Sequence, residues 1–240
     1  MKIGILATGI TPDELLGDFG SYADMFMQLF DNNGYHYEYC VFDVRDDVFP
    51  ASVEECDAWI ITGSKSNVYE NLPWMSKLKS LILAIYETKK PMLGICFGHQ
   101  IIADAFGGKV DKYPGGWGVG LHNYQITGDY KFIKDSATNF TINAMHQDQV
   151  LIKPEIAEVF AQSEFCQYAG LIYDDCILTF QAHPEFSVEY EDALLEARKG
   201  PVVPLERAEQ GLSTLRIPSA KTESNKVAKW MANFIEARVR

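Results

Sequence analysis

Short β-rich runs alternate with longer helical patterns along this chain, and that alternation leaves few folds open. The β-rich runs occupy Lys2 to Ala7, Tyr35 to Phe42, Ala58 to Thr62, Pro91 to Ile95 and Leu178 to Ala182. Strands that alternate with helices are typical of a parallel sheet with helices on its faces. The sequence therefore predicts an α/β fold with a doubly wound, mostly parallel central sheet.

Apolar side chains recur at helical spacing after the first and third β-rich runs. Further helical patterns cover Glu189 to Arg198 and Lys226 to Ala237. The region from Gly107 to Leu178 has scattered glycines and short β-like runs, which predict extra strands and loops. The segment from Gly200 to Ala220 receives no assignment. Since no composition break divides the chain, we expect a single domain over residues 1–240.

The composition excludes several classes of protein. Hydrophobic residues make up 47% of the 240 residues and charged residues 22%, which is typical of a globular chain with a sizeable core. The formal net charge of −12 has the wrong sign for binding nucleic acid or an anionic membrane. The longest apolar run, Leu81 to Tyr86, is far shorter than the roughly 20 residues that span a bilayer. We expect neither a nucleic-acid nor a membrane partner.

Other patterns argue against metals, cofactors and secretion. The five cysteines contain no C-x-x-C pair, and the apolar amino-terminal stretch is too short for a signal peptide, so we expect a cytoplasmic protein. No metal-ligand spacing occurs.

The glycines of residues 115–120 fit no phosphate-loop pattern and predict a loop that places Trp117 against the core. We interpret Glu189, Glu191 and Asp192 as a solvated helix start.

Cys96 lies in a setting that the other four cysteines lack. Residues 91–100 read PMLGICFGHQ, an apolar strand that enters a glycine-flanked turn and then a helix. This pattern is the nucleophile elbow of hydrolases, with cysteine in place of serine. Because Gly94 and Gly98 lack a Cβ, strand and helix can approach closely. The helix N-terminus favours a thiolate at Cys96, and the backbone N–H of Phe97 is expected to stabilise an oxyanion.

His183 is the candidate general base among five histidines. It follows the last β-rich run and precedes Pro184 and Glu185. Residues two apart in an extended segment face the same side, so Glu185 can hold the imidazole. Pro184 fits a strand end, where the sites of open α/β sheets lie. His99, on the new helix, is expected to point away from the thiol and to have a structural role.

Residues 94–100 together with His183, Pro184 and Glu185 resemble the class I glutamine amidotransferases, whose triad is Cys, His and Glu in that chain order. The resemblance is to free-standing members similar to the amidotransferase domain of GMP synthetase. It implies a flavodoxin-like architecture with helices on both faces of the sheet. It also implies that Cys96, His183 and Glu185 are the catalytic residues, and it calls for no cofactor or metal.

The resemblance also supplies candidates for oxyanion and substrate binding. The T-G-S turn at Gly63 resembles the family's oxyanion loop, so the N–H groups of Gly63 and Phe97 would hold the oxyanion. Gln100 resembles the residue that contacts the amino-acid end of the substrate. The MHQD segment that begins at Met145 resembles a Ser-His-Gly-Asp segment, whose backbone meets the α-amino and carboxylate ends of glutamine. Met145 and Gln147 depart from that pattern, which leaves glutamine open as the substrate.

Three functional hypotheses follow. The first is a glutaminase that forms a γ-glutamyl thioester on Cys96 and passes ammonia to a separate synthetase partner. The second is a free-standing hydrolase of γ-glutamyl amides or peptides, which the altered segment favours. The third is a non-catalytic regulatory homologue, which the triad of Cys96, His183 and Glu185 argues against. The small-molecule substrate, the ammonia acceptor and the oligomeric state stay open at this point.

Overall fold

A computed structural model describes residues 1–239 of the protein. The chain alternates strands and helices as predicted. In chain order the strands are β1 Lys2–Leu6, β2 Glu38–Phe42, β3 Ala58–Ile61, β4 Met92–Ile95, β5 Lys109–Lys112, β6 Gly118–Ile126, β7 Asn139–His146, β8 Asp148–Ile152, β9 Ala157–Gln162, β10 Gly170–Tyr173 and β11 Ile177–Phe180. The α-helices are α1 Asp13–Phe19, α2 Tyr22–Asp31, α3 Pro73–Glu87, α4 Phe97–Ala105, α5 Val188–Arg198, α6 Leu205–Leu215 and α7 Ser224–Glu236.

Nine strands form one sheet in the order β2-β1-β3-β4-β11-β10-β9-β6-β7. All five predicted β-rich runs form strands, and these are paired in parallel as β2-β1-β3-β4-β11. The remaining strands of the sheet come from the region from Gly107 to Leu178, where extra strands were predicted, and they are antiparallel. Strands β5 and β8 form a separate antiparallel pair. The catalytic candidates come from the parallel half.

Helices cover both faces of the parallel half, which confirms the predicted α/β fold. Side chains alternate between faces along each strand, so Ile60 packs in one buried cluster while Trp59 and Ile61 pack in another. The cluster of Ile60 includes the apolar faces of α2 and α7, and the cluster of Trp59 includes those of α3 and α4. None of the helices in residues 1–239 is long and apolar enough to cross a membrane.

The segment from Gly200 to Ala220, which the sequence left unassigned, contains a helix. Helix α6 begins after Pro204, and its buried side includes Ala208, Leu212 and Leu215. The helix packs on strand β6 within a small cluster of its own. The segment contains three prolines, which are typical of connecting segments, and for that reason the helix between them was not recognised from the sequence.

Candidate functional site

Cys96 occupies the tight turn between strand β4 and helix α4. Its φ of 52° and ψ of −102° are an unfavourable backbone conformation for a residue with a Cβ. The turn is held from both sides, since the N–H of Cys96 donates to the carbonyl of Phe180 at 2.8 Å and its carbonyl accepts from the N–H of Gln100 at 3.0 Å. The thiol therefore stands at the carboxyl end of β4 and at the amino end of α4, which is the predicted elbow.

The glycines on either side of Cys96 allow this close approach of strand and helix. A Cβ on Gly94 would lie 2.8 Å from the carbonyl oxygen of Gly98. A Cβ on Gly98 would lie 2.9 Å from the Cβ of Ile61 in strand β3 and would also collide with the carbonyl oxygen of Ile61. Any side chain at either position would push α4 away from the sheet and move the thiol with it.

His183 and Glu185 lie together on the next strand end, beyond β11. The Nδ1 of His183 is 2.8 Å from Oε1 of Glu185, and both side chains are buried. The ring of Phe186 stacks on the imidazole, with centroids 3.9 Å apart and planes 6° from parallel. The imidazole is therefore held by a hydrogen bond at one edge and by an aromatic face.

Asn143 in strand β7 fixes the segment that carries His183. Its carbonyl accepts the N–H of His183 at 2.8 Å. Its side-chain amide donates to the carbonyls of Phe186 at 3.1 Å and of Ser187 at 3.0 Å. Sequence reasoning missed Asn143, because only the pairing of β7 with the segment after β11 brings it to the site.

The charges around His183 favour its protonated form. Burial, the largest influence, lowers the pKa of His183, but the carboxylate of Glu185 and the thiolate of Cys96 together raise it well above its ordinary value. An imidazolium beside Cys96 stabilises a thiolate, which is the nucleophilic form of cysteine. The arrangement can therefore carry out nucleophilic attack followed by proton donation.

Gly63 lies next to both catalytic candidates. A Cβ placed on it would be 2.9 Å from Cε1 of His183 and 3.7 Å from Cβ of Cys96. The loop is held by Thr8, whose hydroxyl donates to the carbonyls of Thr62 at 2.8 Å and Gly63 at 3.1 Å. These bonds direct the carbonyl of Gly63 toward Thr8.

Phe97 is the first residue of helix α4. The first N–H groups of a helix have no partner within it, so the Phe97 N–H is available at the turn of Cys96. The Phe97 side chain is fully buried and packs on Trp74, with ring centroids 5.5 Å apart. Only the backbone of Phe97 can therefore take part in oxyanion binding.

A cavity of about 440 Å³ opens on the thiol. Of the eight predicted site residues, five line it, namely Cys96, Gln100, Met145, Gln147 and His183. Glu185 lies behind His183, and Gly63 adjoins the pair. The cavity falls in the size range of small-molecule sites, about 300 to 1,000 Å³.

The amide of Gln100 is largely engaged within the protein. Its Nε2 donates to the carbonyl of Asp148 at 2.9 Å and to Oε1 of Gln181 at 3.1 Å. The side chain is almost fully buried. Gln100 therefore ties helix α4 to the segment that begins at Met145, and this contact shapes one wall of the cavity.

His99 and Trp117 lie where the sequence analysis expected them. His99 is fully buried, its Nδ1 is 2.8 Å from the hydroxyl of Thr179, and burial lowers its pKa to about 3. It does not line the cavity. Trp117 is half-buried against the cluster that contains Val119 and Leu195, and it also lines the cavity.

The prediction that Glu191 is part of a solvated helix start is wrong. Its side chain is fully buried, and Oε1 accepts the N–H of Gly120 at 3.3 Å. Burial raises the pKa of Glu191 to about 8. Helix α5 packs its first turn against strands β6 and β7, which turns this residue inward while Glu189 stays exposed.

The cavity is also lined by residues that no sequence pattern indicated. Lys65, Lys112 and Arg198 line it, and Asp148 is the carboxylate among its lining residues. Tyr69 donates a hydrogen bond of 3.3 Å to Asp148, and burial raises the pKa of this carboxyl. No cluster of histidine, cysteine, aspartate and glutamate within residues 1–239 could hold a metal ion.

Comparison with known proteins agrees with this architecture. A γ-glutamyl peptidase of Arabidopsis thaliana is 34% identical to this chain over 71% of this chain and 70% of its own length. A glutamine-hydrolysing GMP synthase subunit from Methanococcus maripaludis is 34% identical over 44% of this chain and 57% of its own. The crystal structure of a glutamine amidotransferase from Thermotoga maritima matches with a TM-score of 0.74 at 21% identity, covering 99% of this chain and 97% of that one, which shows a shared fold.

The description of the matching family model is glutamine amidotransferase class-I, and the model covers residues 15–199. The matched region contains the elbow at Cys96, the pair of His183 and Glu185, and most of the residues that line the cavity. The predicted resemblance is confirmed, and this chain belongs to the class I glutamine amidotransferase family.

Proposed function

We propose that this protein is a thiol amidase that hydrolyses the amide bond at the γ-carbonyl of a glutamyl compound. The observation that carries the proposal is the 2.8 Å contact between Nδ1 of His183 and Glu185, with Cys96 at the elbow beside the same imidazole. This is the nucleophile, base and orienting carboxylate order that acyl transfer requires.

In the proposed reaction, the thiolate of Cys96 attacks the γ-carbonyl carbon. The N–H groups of Gly63 and Phe97 hold the negative oxygen of the tetrahedral intermediate. The imidazolium of His183 gives its proton to the departing nitrogen, the carbon–nitrogen bond breaks, and a γ-glutamyl thioester remains. His183 then takes a proton from water, the hydroxide attacks the thioester, the carbon–sulfur bond breaks, and glutamate leaves as the Cys96 thiolate and the His183 imidazolium are restored.

Two features favour a free-standing γ-glutamyl amide or peptide hydrolase. The cavity extends from Cys96 to Val202, beyond the elbow and into the segment between helices α5 and α6. Met145 and Gln147, which depart from the glutamine-binding pattern, line it. The similarity to a γ-glutamyl peptidase agrees with this choice.

A second candidate is an amidotransferase that passes ammonia to a separate synthetase. It is favoured by the similarity to part of a glutamine-hydrolysing GMP synthase. In that case glutamine would be the small-molecule substrate, and the partner would supply the acceptor of the ammonia. The chemistry at Cys96 is the same in both candidates.

The test is glutamate release by the purified chain from L-glutamine and from a panel of γ-glutamyl amides and peptides. Cys96→Ala should abolish release, and Cys40→Ala should not, because Cys40 is a half-buried thiol on strand β2 outside the cavity. Circular dichroism of both variants checks the fold. Release from a folded Cys96→Ala variant would contradict the mechanism.

The substrate profile separates the candidates. Rapid release from the panel with little from glutamine supports the free-standing hydrolase. Weak release everywhere, with Cys96 labelled by a diazo-ketone analogue of glutamine, supports an amidotransferase that requires its synthetase. An absence of both release and labelling would support a non-catalytic homologue and would contradict the proposal.

A further inference from the structure

The cavity at Cys96 has a surplus of positive charge, although the chain as a whole is acidic. The formal net charge of the chain is −12. Apart from Cys96 and His183, whose thiolate and imidazolium charges cancel, the charged side chains that line the cavity within residues 1–239 are those of Lys65, Lys112 and Arg198 against that of Asp148. The glutamyl part of a substrate is a zwitterion with one ammonium and one carboxylate group, so it would not balance this surplus. The surplus indicates that the ligand brings a further negative charge.

Arg198 is the half-buried member of the three cations, whereas Lys65 and Lys112 are exposed. Among residues 1–239 its guanidinium makes neither an ion pair nor a side-chain hydrogen bond. Glu196, two positions earlier in helix α5, pairs instead with Lys199 at 2.8 Å and Arg216 at 2.7 Å. Burying part of a guanidinium without an anion is costly, so its open position in the cavity points to a ligand.

The backbone around Arg198 is firmly held. The carbonyl of Arg198 accepts the N–H groups of Val202 at 3.1 Å and Val203 at 3.0 Å, which closes a tight turn after helix α5. The side chain of Val203 is fully buried and anchors this turn. Pro201 and Val202 then form an apolar wall of the cavity next to Arg198.

Tyr22 lines the cavity together with Arg198 and His183. The ring of Tyr22 packs on Phe186 with centroids 5.6 Å apart, and Phe186 stacks on His183. Burial, the largest influence, raises the pKa of Tyr22 to about 12, the charges of Glu185 and Cys96 act in the same direction, and the charge of Arg198 lowers it. Arg198 thus shares the cavity with a residue that packs beside the candidate triad.

We infer that Arg198 binds a carboxylate on the leaving group of the substrate, so that the protein prefers γ-glutamyl amino acids or peptides to glutamine and neutral γ-glutamyl amides. The inference rests on the proposed function, because it assigns the group attached to the γ-carbonyl. A guanidinium suits this role because it can donate two parallel hydrogen bonds to a carboxylate. Lys65 and Lys112, exposed at the cavity, would attract the same anion.

The test compares γ-glutamyl-glycine with γ-glutamyl-glycinamide, which differ only in the charge of the leaving group. Their dissociation constants are measured calorimetrically on Cys96→Ala, which cannot turn them over under the proposed mechanism. We expect the charged compound to bind about tenfold tighter or more, the range of a charge-assisted hydrogen bond. Adding Arg198→Gln should bring the ratio of the two constants close to one, and Arg198→Lys should retain part of it.

Lys199→Gln is the matched control, since Lys199 adjoins Arg198 in sequence but pairs with Glu196 and Glu209 outside the cavity. It should leave the ratio unchanged. Equal affinity for the two compounds, absence of binding, or a ratio that survives Arg198→Gln would overturn the inference. A loss of affinity for both compounds by the same factor would overturn it as well, because that is the effect of a purely structural residue.

Turnover of the same two compounds by the unsubstituted protein separates this inference from the proposed function. A binding preference that depends on Arg198, without glutamate release, would support carboxylate binding by Arg198 and contradict the proposed hydrolase function. Release from both compounds at equal kcat/KM, with equal binding, would support the hydrolase and contradict the role of Arg198.

Discussion

Asn143 and His183 are joined backbone to backbone by a hydrogen bond of 2.8 Å, across two segments that lie 40 positions apart in the sequence. The side chain of Asn143 adds two hydrogen bonds to the carbonyls of Phe186 and Ser187. Strand β7 thereby holds the whole segment that carries His183 and Glu185. The position and orientation of the His183 imidazole therefore depend on a residue outside the motifs that carry the family resemblance.

Asn143→Ala should weaken both stability and activity. The backbone bond to His183 persists, but the buried carbonyl of Phe186 and the carbonyl of Ser187 lose their donor, which we expect to cost about 1 to 3 kcal/mol of unfolding free energy in urea titrations. Phe186 is then less firmly held, and kcat/KM should fall by about tenfold with a shifted pH profile. Asn123→Ala, at an exposed position on strand β6, is the control. An unchanged pH profile would show that Asn143 has no positioning role.

Gly98→Ala should destabilise the protein strongly. The added methyl group would collide with the backbone of Ile61, and neither helix α4 nor strand β3 can move without disturbing the elbow. We expect a loss of about 2 kcal/mol or more of unfolding free energy, as for overpacked cores. Gly17→Ala in helix α1 meets nothing within 4 Å and should be neutral or stabilising. Equal stability of the two variants would contradict the close contact at Gly98.

Glu185→Gln should lower the pKa of His183. Burial lowers that pKa, and the Glu185 carboxylate is the larger of the two charges that raise it well above 6.5 in the folded protein. A raised histidine pKa stabilises the folded state fully below about pH 6.5, and this contribution is lost as the pH rises through the folded-state pKa. The stability advantage of the unsubstituted protein over the variant should therefore shrink at alkaline pH. An NMR titration of the His183 ring that is unaffected by the substitution would refute this.

Glu191→Gln should make the protein more stable at alkaline pH. Because burial raises the pKa of Glu191 from 4.5 to about 8, the folded state resists its ionisation, and stability falls as the pH rises between these values. The slope for one such group is about 1.4 kcal/mol per pH unit. Glutamine keeps an acceptor for the N–H of Gly120 and removes the charge. In urea titrations from pH 5 to 9, the free energy of unfolding of Glu191→Gln should increase relative to that of the unsubstituted protein as the pH rises. Glu189→Gln, at an exposed position, should show no such increase.

Sequence reasoning succeeded where the signal was local. The alternation of strands and helices, the elbow around Cys96 and the pairing of His183 with Glu185 each depend on residues within a few positions of one another. Strand period, helix period and the need for glycine beside a strained turn are short-range rules, so they could be applied without knowing the rest of the fold. They were enough to predict the fold class, while the family was indicated by the resemblance of residues 94–100 and 183–185 to a known set of motifs.

Tertiary structure alone decided the roles of Asn143, Glu191 and Arg198. The first acts through the pairing of β7 with a distant segment, the second is buried because α5 packs on the antiparallel half of the sheet, and the third meets the cavity through the turn that precedes α6. The register between distant strands and the packing of helix α5, whose apolar periodicity is weak, are set by long-range contacts. Residue spacing within one segment does not reveal such contacts. The candidate nucleophile could therefore be predicted from its neighbours in the chain, whereas the groups that hold the candidate base and line the cavity could not.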